Sequence, residues 1–149
     1  MFDIESNKQD EITINTKKTS VTFNFVESRI NAKLNVGDII GPGEFEIGDA
    51  TIRGIAVKDG KTIYDVEVGG VHVGIIGDIE DGLDDLGVSN ILCTSSVRAI
   101  REIEPKMVIA TGNVDGMVSE LKLSARTEKK LKVKNLDSLP VSLEVVVLN

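Results

Sequence analysis

The stretch KTIYDVEVGGVHVGIIGD, residues 61–78, constrains the fold more than any other part of the chain. Apolar and polar residues alternate on both sides of Gly69-Gly70, which predicts two antiparallel strands joined by a two-residue turn. The same alternation in EITINT (11–16) and SVTFNF (20–25) predicts a second hairpin. Strands of this kind are apolar on one face, so the chain must bury that face against another layer.

Beyond residue 78 the pattern changes from hairpins to alternating strands and helices. The predicted elements are a helical turn at 84–87, a strand at 90–95, a helix at 95–105, a strand at 106–112, a weaker helix at 114–124, and closing strands at 129–136 and 141–149. Ser95 or Ser96 is expected to cap the helix that ends before Pro105. Hairpins followed by β-α-β units are typical of a mixed α/β or α+β sandwich that is rich in β-strands.

The chain has 149 residues, the length of a single domain, and we assign residues 1–149 to one unit. Residues 1–10 show no periodic pattern and are expected to be disordered. Residues 26–38 fit neither the strand period nor the helix period. Gly41-Pro42-Gly43 predicts a turn that leads into a strand, with the side chains of Phe45 and Ile47 on its buried face.

The composition excludes several classes of function. There are 24 acidic and 17 basic residues, so the net charge is −7, and such a charge repels the phosphates of nucleic acids. Cys93 is the only cysteine and is expected to be a buried core residue. No apolar run reaches the ~18 residues of a membrane span, and the polar N-terminus is unlike a signal peptide. The sequence therefore predicts a soluble, cytoplasmic protein.

Five carboxylates follow the second strand of the 61–78 hairpin within eight residues: Asp78, Glu80, Asp81, Asp84 and Asp85. Carboxylates at the end of a buried strand can hold a metal or take part in hydrolysis. A calcium loop requires glycine at position six and glutamate at position twelve, whereas here glycine is fifth and Ser89 is twelfth. We interpret the stretch as a solvated turn in which Asp84 or Asp85 caps a helix, with weak Mg²⁺ or Ca²⁺ binding as the alternative.

Several segments, taken in order, resemble the metallo-β-lactamase superfamily, and in particular small bacterial hydrolase-like proteins related to ascorbate-6-phosphate lactonases. The segments are GPGEFEIGDATIRGI (41–55), KTIYDVEVGGVHVGIIGDIED (61–81), NILCTSS (90–96), IEPKMVIATG (103–112) and KLKVKNLDSLPVSLEVVVL (130–148). The resemblance implies a β-rich sandwich, a truncated form of the αββα fold of that superfamily.

The resemblance also implies where metal ligands would lie. The superfamily holds zinc with a His-x-His-x-Asp-His motif, a further histidine, a bridging aspartate and a final histidine. The chain has one histidine, His72, which matches none of these positions. Ile75 and Gly112 stand where two of the histidines belong, and only Asp78 matches, as the bridging carboxylate. We therefore expect Asp78 to be a vestigial ligand, with no catalytic, cofactor-binding or metal-binding residue in the chain.

Two functions remain open from the sequence. The first is a non-catalytic binding or scaffold module that has lost its metal site. The second is a metal-dependent hydrolase whose site is divergent or completed by another chain. The shortened first half of the fold should expose apolar sheet surface or strand edges, which predicts a homo-oligomer with the hairpin 11–25 near its interface, and a protein partner is possible. If residues 26–38 instead form a helix that covers the sheet, the protein would be a monomer.

Overall fold

The structure of the protein is a computed structural model that describes residues 1–35 and 37–149. The described strands are β1 (Phe2–Glu5), β2 (Glu11–Asn15), β3 (Ser20–Val26), β4 (Arg29–Leu34), β5 (Ile39–Ile40), β6 (Gly43–Ile47), β7 (Ala50–Ala56), β8 (Thr62–Val68), β9 (Val71–Gly77), β10 (Ile91–Thr94), β11 (Met107–Ala110), β12 (Ala125–Glu128), β13 (Lys130–Val133) and β14 (Glu144–Leu148). The described α-helices are α1 (Leu83–Leu86), α2 (Val97–Ile103) and α3 (Val114–Leu121). Two short 3₁₀ turns lie at Lys58–Gly60 and Leu136–Ser138.

The strands form two sheets. The first has six strands in the order β13-β1-β2-β3-β4-β5, and all of its neighbouring strands are antiparallel. The second has eight strands in the order β12-β14-β11-β10-β9-β8-β7-β6. In that sheet β9, β10, β11, β14 and β12 run parallel, and the β6 to β9 portion is an antiparallel meander. The carboxyl ends of these five parallel strands therefore all lie on the same side of the larger sheet.

The two sheets pack face to face around one apolar core. The rings of Phe23 on β3 and Tyr64 on β8 meet across the interface with their centroids 5.2 Å apart. The Tyr64 hydroxyl donates a hydrogen bond of 2.6 Å to the backbone carbonyl of Ile40, so this buried polar group is satisfied. The helices α1, α2 and α3 pack beside one another, with α1 against β8 and α2 against β10. The architecture is thus a sandwich of two sheets with a helical layer on the larger one.

The structure confirms the predicted fold class and most of the predicted elements. Both hairpins form, and Ser96 caps α2 by accepting a hydrogen bond from the Ala99 amide at 3.0 Å. Gly69 and Gly70 both have positive φ, as a tight hairpin turn between right-twisted strands requires. The switch from period-two alternation to β-α-β units therefore indicated where the antiparallel meander gives way to parallel strands.

Two predictions about the first half of the chain, and one alternative, differ from the structure. Residues 1–10 are not disordered, because Phe2 and Ile4 are buried in β1, which pairs with β2 and with β13. Residues 26–38 do not form a helix over the sheet: β4 occupies 29–34, and Val36 lies outside the described residues. Phe45 keeps 36% of its surface exposed, because β6 is the edge strand of the larger sheet.

Candidate functional site

A groove lies at the carboxyl ends of the parallel strands, and we call it the carboxyl-end groove. The residues that directly follow β9, β10 and β11 line it, namely Asp78, Ser95 and Thr111. The β3–β4 turn of the smaller sheet forms the opposite wall. Crevices outside the carboxyl ends of parallel strands are where α/β proteins bind ligands, so this is the candidate site that the fold itself provides.

The carboxyl-end groove has two adjoining chambers, with volumes of about 360 Å³ and 280 Å³. Asp10, Phe25, Thr111 and Gly112 line both of them. Both chambers are completed by a mixture of apolar and polar residues, for example Ile12 and Gln9 in the larger one and Ile76 and Glu27 in the smaller one. Sites for small organic ligands typically enclose about 300 to 1,000 Å³, so the groove has the size of such a site.

Asp78 enters the smaller chamber from the end of β9. Its Oδ2 accepts a hydrogen bond of 2.6 Å from the hydroxyl of Ser28, which lies in the β3–β4 turn of the other sheet. Ser28 and the preceding Glu27 both have positive φ, the conformation of a tight two-residue turn. Gly77 has positive φ as well, and a Cβ there would lie 3.1 Å from the ring of Phe25. A tight turn and a glycine therefore bring the two sheets together beside Asp78.

The other carboxylates of the acidic turn point to different partners. Glu80 accepts a hydrogen bond from the Ser96 hydroxyl and forms an ion pair with Arg98 at 3.9 Å. Asp81 lies 3.8 Å from Lys58, while Asp84 and Asp85 are exposed in the first turn of α1. The residue before α1 is Gly82, with no side-chain cap, so the prediction that Asp84 or Asp85 caps this helix is wrong. The five carboxylates thus do not converge on one point.

The donors at the groove do not fit the zinc site that the fold implies. Zinc in proteins is held by three or four histidine, cysteine or carboxylate ligands. Here Asp78 is hydrogen-bonded to the hydroxyl of Ser28, and the carboxylates Asp10 and Glu27 line the same chamber without joining it in a ligand cluster. Within residues 1–35 and 37–149, no three histidine, cysteine, aspartate or glutamate side chains are grouped closely enough to hold a metal ion. Ile75 is fully buried and Gly112 has no side chain, so neither position expected from the resemblance supplies a ligand.

His72 lies in a separate cluster on β9. Its Nδ1 is 3.1 Å from Asp65 Oδ2, and its Nε2 is 3.1 Å from Glu67 Oε2. Arg53 lies 3.8 Å from Asp65 and donates hydrogen bonds to the last carbonyls of α1, those of Asp85 at 3.1 Å and Leu86 at 2.7 Å. Burial raises the pKa of Asp65, and the hydrogen bond from His72 opposes that rise. The cluster ties three strands to α1.

Cys93 is completely buried in β10, as predicted, and burial raises the pKa of its thiol. A thiol that is protonated and inaccessible is neither a nucleophile nor a metal ligand. Thr111, in contrast, lies in the wall shared by both chambers of the groove, and its buried Oγ1 has no hydrogen-bond partner among the described residues. The polar side chains that line the groove at the carboxyl ends of β9, β10 and β11 are therefore those of Asp78, Ser95 and Thr111.

The sequence indicated part of this site. Asp78 was singled out and does line the groove, but the contributions of Asp10 and Glu27 from the smaller sheet were missed. These residues lie in turns that carry no motif, and only the packing of the two sheets brings them to the groove. The pairing of His72 with Glu67 could have been found, because a two-residue turn at Gly69-Gly70 places these residues directly opposite each other.

Solved structures with this architecture are known. The chain superposes on a Thermotoga maritima protein provisionally described as a zinc-dependent hydrolase of the metallo-β-lactamase superfamily, with a TM-score of 0.71, 12% identity and 99% of each chain covered. It also matches the metallo-β-lactamase fold protein YhfI from Bacillus subtilis, with a TM-score of 0.45, 8% identity, and 70% of this chain and 49% of that one covered. No family model and no curated protein match the sequence.

The full-length likeness to the Thermotoga maritima protein shows that the chain has the metallo-β-lactamase fold, as the resemblance implied. The aligned region includes almost all of both chains. Among the described residues, no helix combines the length and the apolar composition that crossing a bilayer requires. An identity of 12% shows the fold alone, so any statement about activity depends on the groove itself.

Proposed function

We propose that the protein is a non-catalytic module of the metallo-β-lactamase fold that binds a small organic ligand in the carboxyl-end groove. The observation that carries the proposal is that no three potential metal ligands converge in the described part of the chain. The carboxylates of the groove, such as Asp10, Glu27 and Asp78, come from separate turns and strand ends, and neither histidine nor cysteine is among the groove-lining residues described. Carboxylates that do not converge, with no imidazole beside them, do not provide the ligands that a hydrolytic zinc site requires. The groove nevertheless keeps the volume of a ligand site, which supports binding as its remaining use.

The second candidate is a metal-dependent hydrolase with a divergent or trans-completed site. Its support is the position of Asp78, which opens into the groove at the end of a parallel strand. A divergent site that is complete within this chain would bind a transition metal in the purified protein, and this property separates it from the proposed module. A trans-completed site would bind the metal only when the partner chain that supplies the imidazole ligands is added to the same titration.

The test measures metal content and metal affinity. The protein is dialysed and its zinc, iron and manganese are determined by elemental analysis, and zinc is then titrated calorimetrically into the wild type and into Asp78→Asn. We expect no stoichiometric metal, no difference between the two proteins, and no loss of thermal stability with a chelator. Metal bound to the native state would add to its stability. About one metal per chain that is lost in Asp78→Asn would overturn the proposal and favour the hydrolase.

A further inference from the structure

We infer that His72 is a pH-sensitive switch: its doubly protonated ring holds Glu67, and its neutral ring releases Glu67 while keeping Asp65. Asp65 and Glu67 lie on β8, and His72 lies opposite them on β9. Arg53 on β7 lies 3.8 Å from Asp65 and joins it to the last carbonyls of α1. None of these residues is among the described residues that line the carboxyl-end groove, so the switch does not depend on the function proposed for that groove.

The ring of His72 faces a carboxylate at each of its nitrogens. Nδ1 has hydrogen-bond geometry to Asp65, at 3.1 Å from Oδ2 and 3.2 Å from Oδ1, and Nε2 lies 3.1 Å from Oε2 of Glu67. An ionised carboxylate only accepts hydrogen bonds, and a neutral imidazole has a single N–H. Both contacts are therefore favourable only while the ring carries both protons. A neutral ring turns a lone pair toward one of the two carboxylates.

Burial decides which contact is lost when the ring becomes neutral. The side chain of Asp65 is 6% exposed, whereas that of Glu67 is 41% exposed. If Asp65 lost its hydrogen bond from the ring, water would not replace the donor, and a buried carboxylate without a donor is costly. Glu67 can turn toward solvent instead. The remaining proton of the ring therefore stays on Nδ1, and Nε2 separates from Glu67.

The surroundings of the ring hold its backbone in place in both states. The backbone amide of His72 donates a hydrogen bond of 2.7 Å to Oδ1 of Asn90, just before β10. Asp84 and Asp85 of α1 are exposed in the first turn of that helix. Within residues 1–35 and 37–149, the charged side chains joined to the ring directly or through Asp65 are Arg53, Asp65 and Glu67. The charges of this cluster cancel when the ring is charged, and a neutral ring leaves it with one negative charge in excess.

Nuclear magnetic resonance of the full chain, labelled with ¹⁵N and ¹³C, tests the switch. His72 is the only histidine in the sequence, so its ring signals identify themselves. The pH is raised from the doubly protonated ring until the ring signals no longer change. We expect the neutral ring to keep its proton on Nδ1, while Nε2 shifts to the position of an unprotonated nitrogen. The nuclear Overhauser effect between the ring and the side chain of Glu67 should be present in the charged state and lost in the neutral state.

Two substitutions test the two carboxylates separately. In Glu67→Gln the amide can donate to an unprotonated Nε2 and accept from a protonated one, so the contact with the ring should survive in both states. Asp65→Asn presents an amide donor to Nδ1, so the proton of the neutral ring should move to Nε2, beside Glu67. Glu44→Gln is the matched control, because Glu44 is exposed on the edge strand β6, and it should leave the behaviour of the ring unchanged.

The wild type alone can contradict the inference. A neutral ring with its proton on Nε2 would overturn it, and so would a contact between the ring and Glu67 that persists after deprotonation. Loss of that contact in Glu67→Gln to the same extent as in the wild type would also overturn it, because the charge of Glu67 would then not be the cause. If Asp65→Asn does not fold, the wild type and Glu67→Gln still decide between these outcomes.

Discussion

Asp65 has 4% of its surface exposed and lies between Arg53 and His72 on neighbouring strands. Burial raises its pKa above the ordinary value of 3.8. Because the unfolded chain releases this proton at a lower pH than the folded protein, the folded state holds more protons between the two pKa values. The contribution of Asp65 to the free energy of unfolding therefore falls as the pH rises through that interval, and is constant above it.

We predict that Asp65→Asn removes this decrease in the free energy of unfolding with rising pH. Urea denaturation at a series of pH values should show that the stability of the variant, relative to the wild type, increases as the pH rises from below 3.8 to above the raised pKa. The difference in the free energy of unfolding at any one pH also includes the lost contacts to His72 and Arg53. The quantity to compare is therefore the slope of that free energy against pH. Asp84→Asn removes an exposed carboxylate and serves as the control. Parallel pH profiles for wild type and Asp65→Asn would contradict the prediction.

For individual residues, the sequence shows which side chains follow a strand better than it shows which side chains are buried. Asp78 was recognised because it directly follows a strand, and strand ends are visible in the alternation. Asp65 lies in the same alternating pattern and looks like a solvent-facing residue. Its burial depends on α1, which packs against β8, and on Arg53 from β7. Neither contact is local in sequence.

The start of α2 shows how much one residue contributes to an element. Ser96 accepts a hydrogen bond from the Ala99 amide and donates one to Glu80, so it joins the helix to the acidic turn. We predict that Ser96→Ala lowers the free energy of unfolding by about 1–2 kcal/mol, as loss of an N-cap does. Ser95→Ala is the matched neighbour and should cost less than about 0.5 kcal/mol, the usual range away from special sites. Chemical denaturation measures both, and equal costs would show that Ser96 is not the cap.

Gly54 lies on β7, against the segment Gly41-Pro42 that connects β5 of the smaller sheet to β6 of the larger sheet. A Cβ at this position would lie 2.3 Å from the carbonyl oxygen of Gly41 and 3.1 Å from the Cα of Pro42. These are backbone atoms, so an added Cβ would force the connecting segment to move. We predict that Gly54→Ala lowers the free energy of unfolding by about 1–3 kcal/mol, the range for overpacking. Gly41→Ala is the control, because a Cβ there meets nothing within 4 Å; a similar cost for both would refute the close-approach argument.

At the element scale, periodicity predicted the long strands and the helices, but short strands were missed. The strand predicted at 129–136 corresponds to β13, and β12 was missed, because Lys129 separates two four-residue strands that belong to different sheets. β1 was missed because it is four residues long and pairs on one side with β13, far away in the sequence. Short strands gain their stability from such distant pairing, and a local pattern does not reveal it.

The outer face of the smaller sheet is polar. Asn15, Thr22 and Asn24 of the 11–25 hairpin lie on it and are partly exposed, and Thr13 on the same face is buried with its hydroxyl hydrogen-bonded to that of Thr22. The side chains of Ile12, Ile14, Val21 and Phe23 are buried on the opposite face. The expectation that shortening the fold exposes an apolar sheet face is therefore wrong for this hairpin. The strand edges are open as expected, since β5 and β13 end one sheet and β6 and β12 end the other. Ile39 on β5 has 82% of its surface exposed.

The homo-oligomer stays a prediction, and light scattering tests it. We expect a mass of at least twice the 16.1 kDa of one chain at micromolar concentration, because open strand edges pair readily with other chains and two-fold dimers are the commonest closed assembly. If the contact is made face to face through the hairpin 11–25, which lies inside the smaller sheet, Thr22→Lys should weaken the assembly. If the contact pairs strand edges at β12, Thr127→Lys on that edge strand should weaken it instead. A mass of one chain across a dilution series would contradict the prediction.

The position of β14 has a consequence for how the protein is made. This strand lies between β12 and β11 and pairs in parallel with both, although it follows them in the chain. A nascent chain that emerges from the ribosome up to β13 would hold β11 and β12 apart with an empty place between them. The sheet closes only after residues 144–148 have left the exit tunnel. Until then the unpaired edges of β11 and β12 are open to other nascent chains, so we expect the larger sheet to be complete only after β14 has left the exit tunnel.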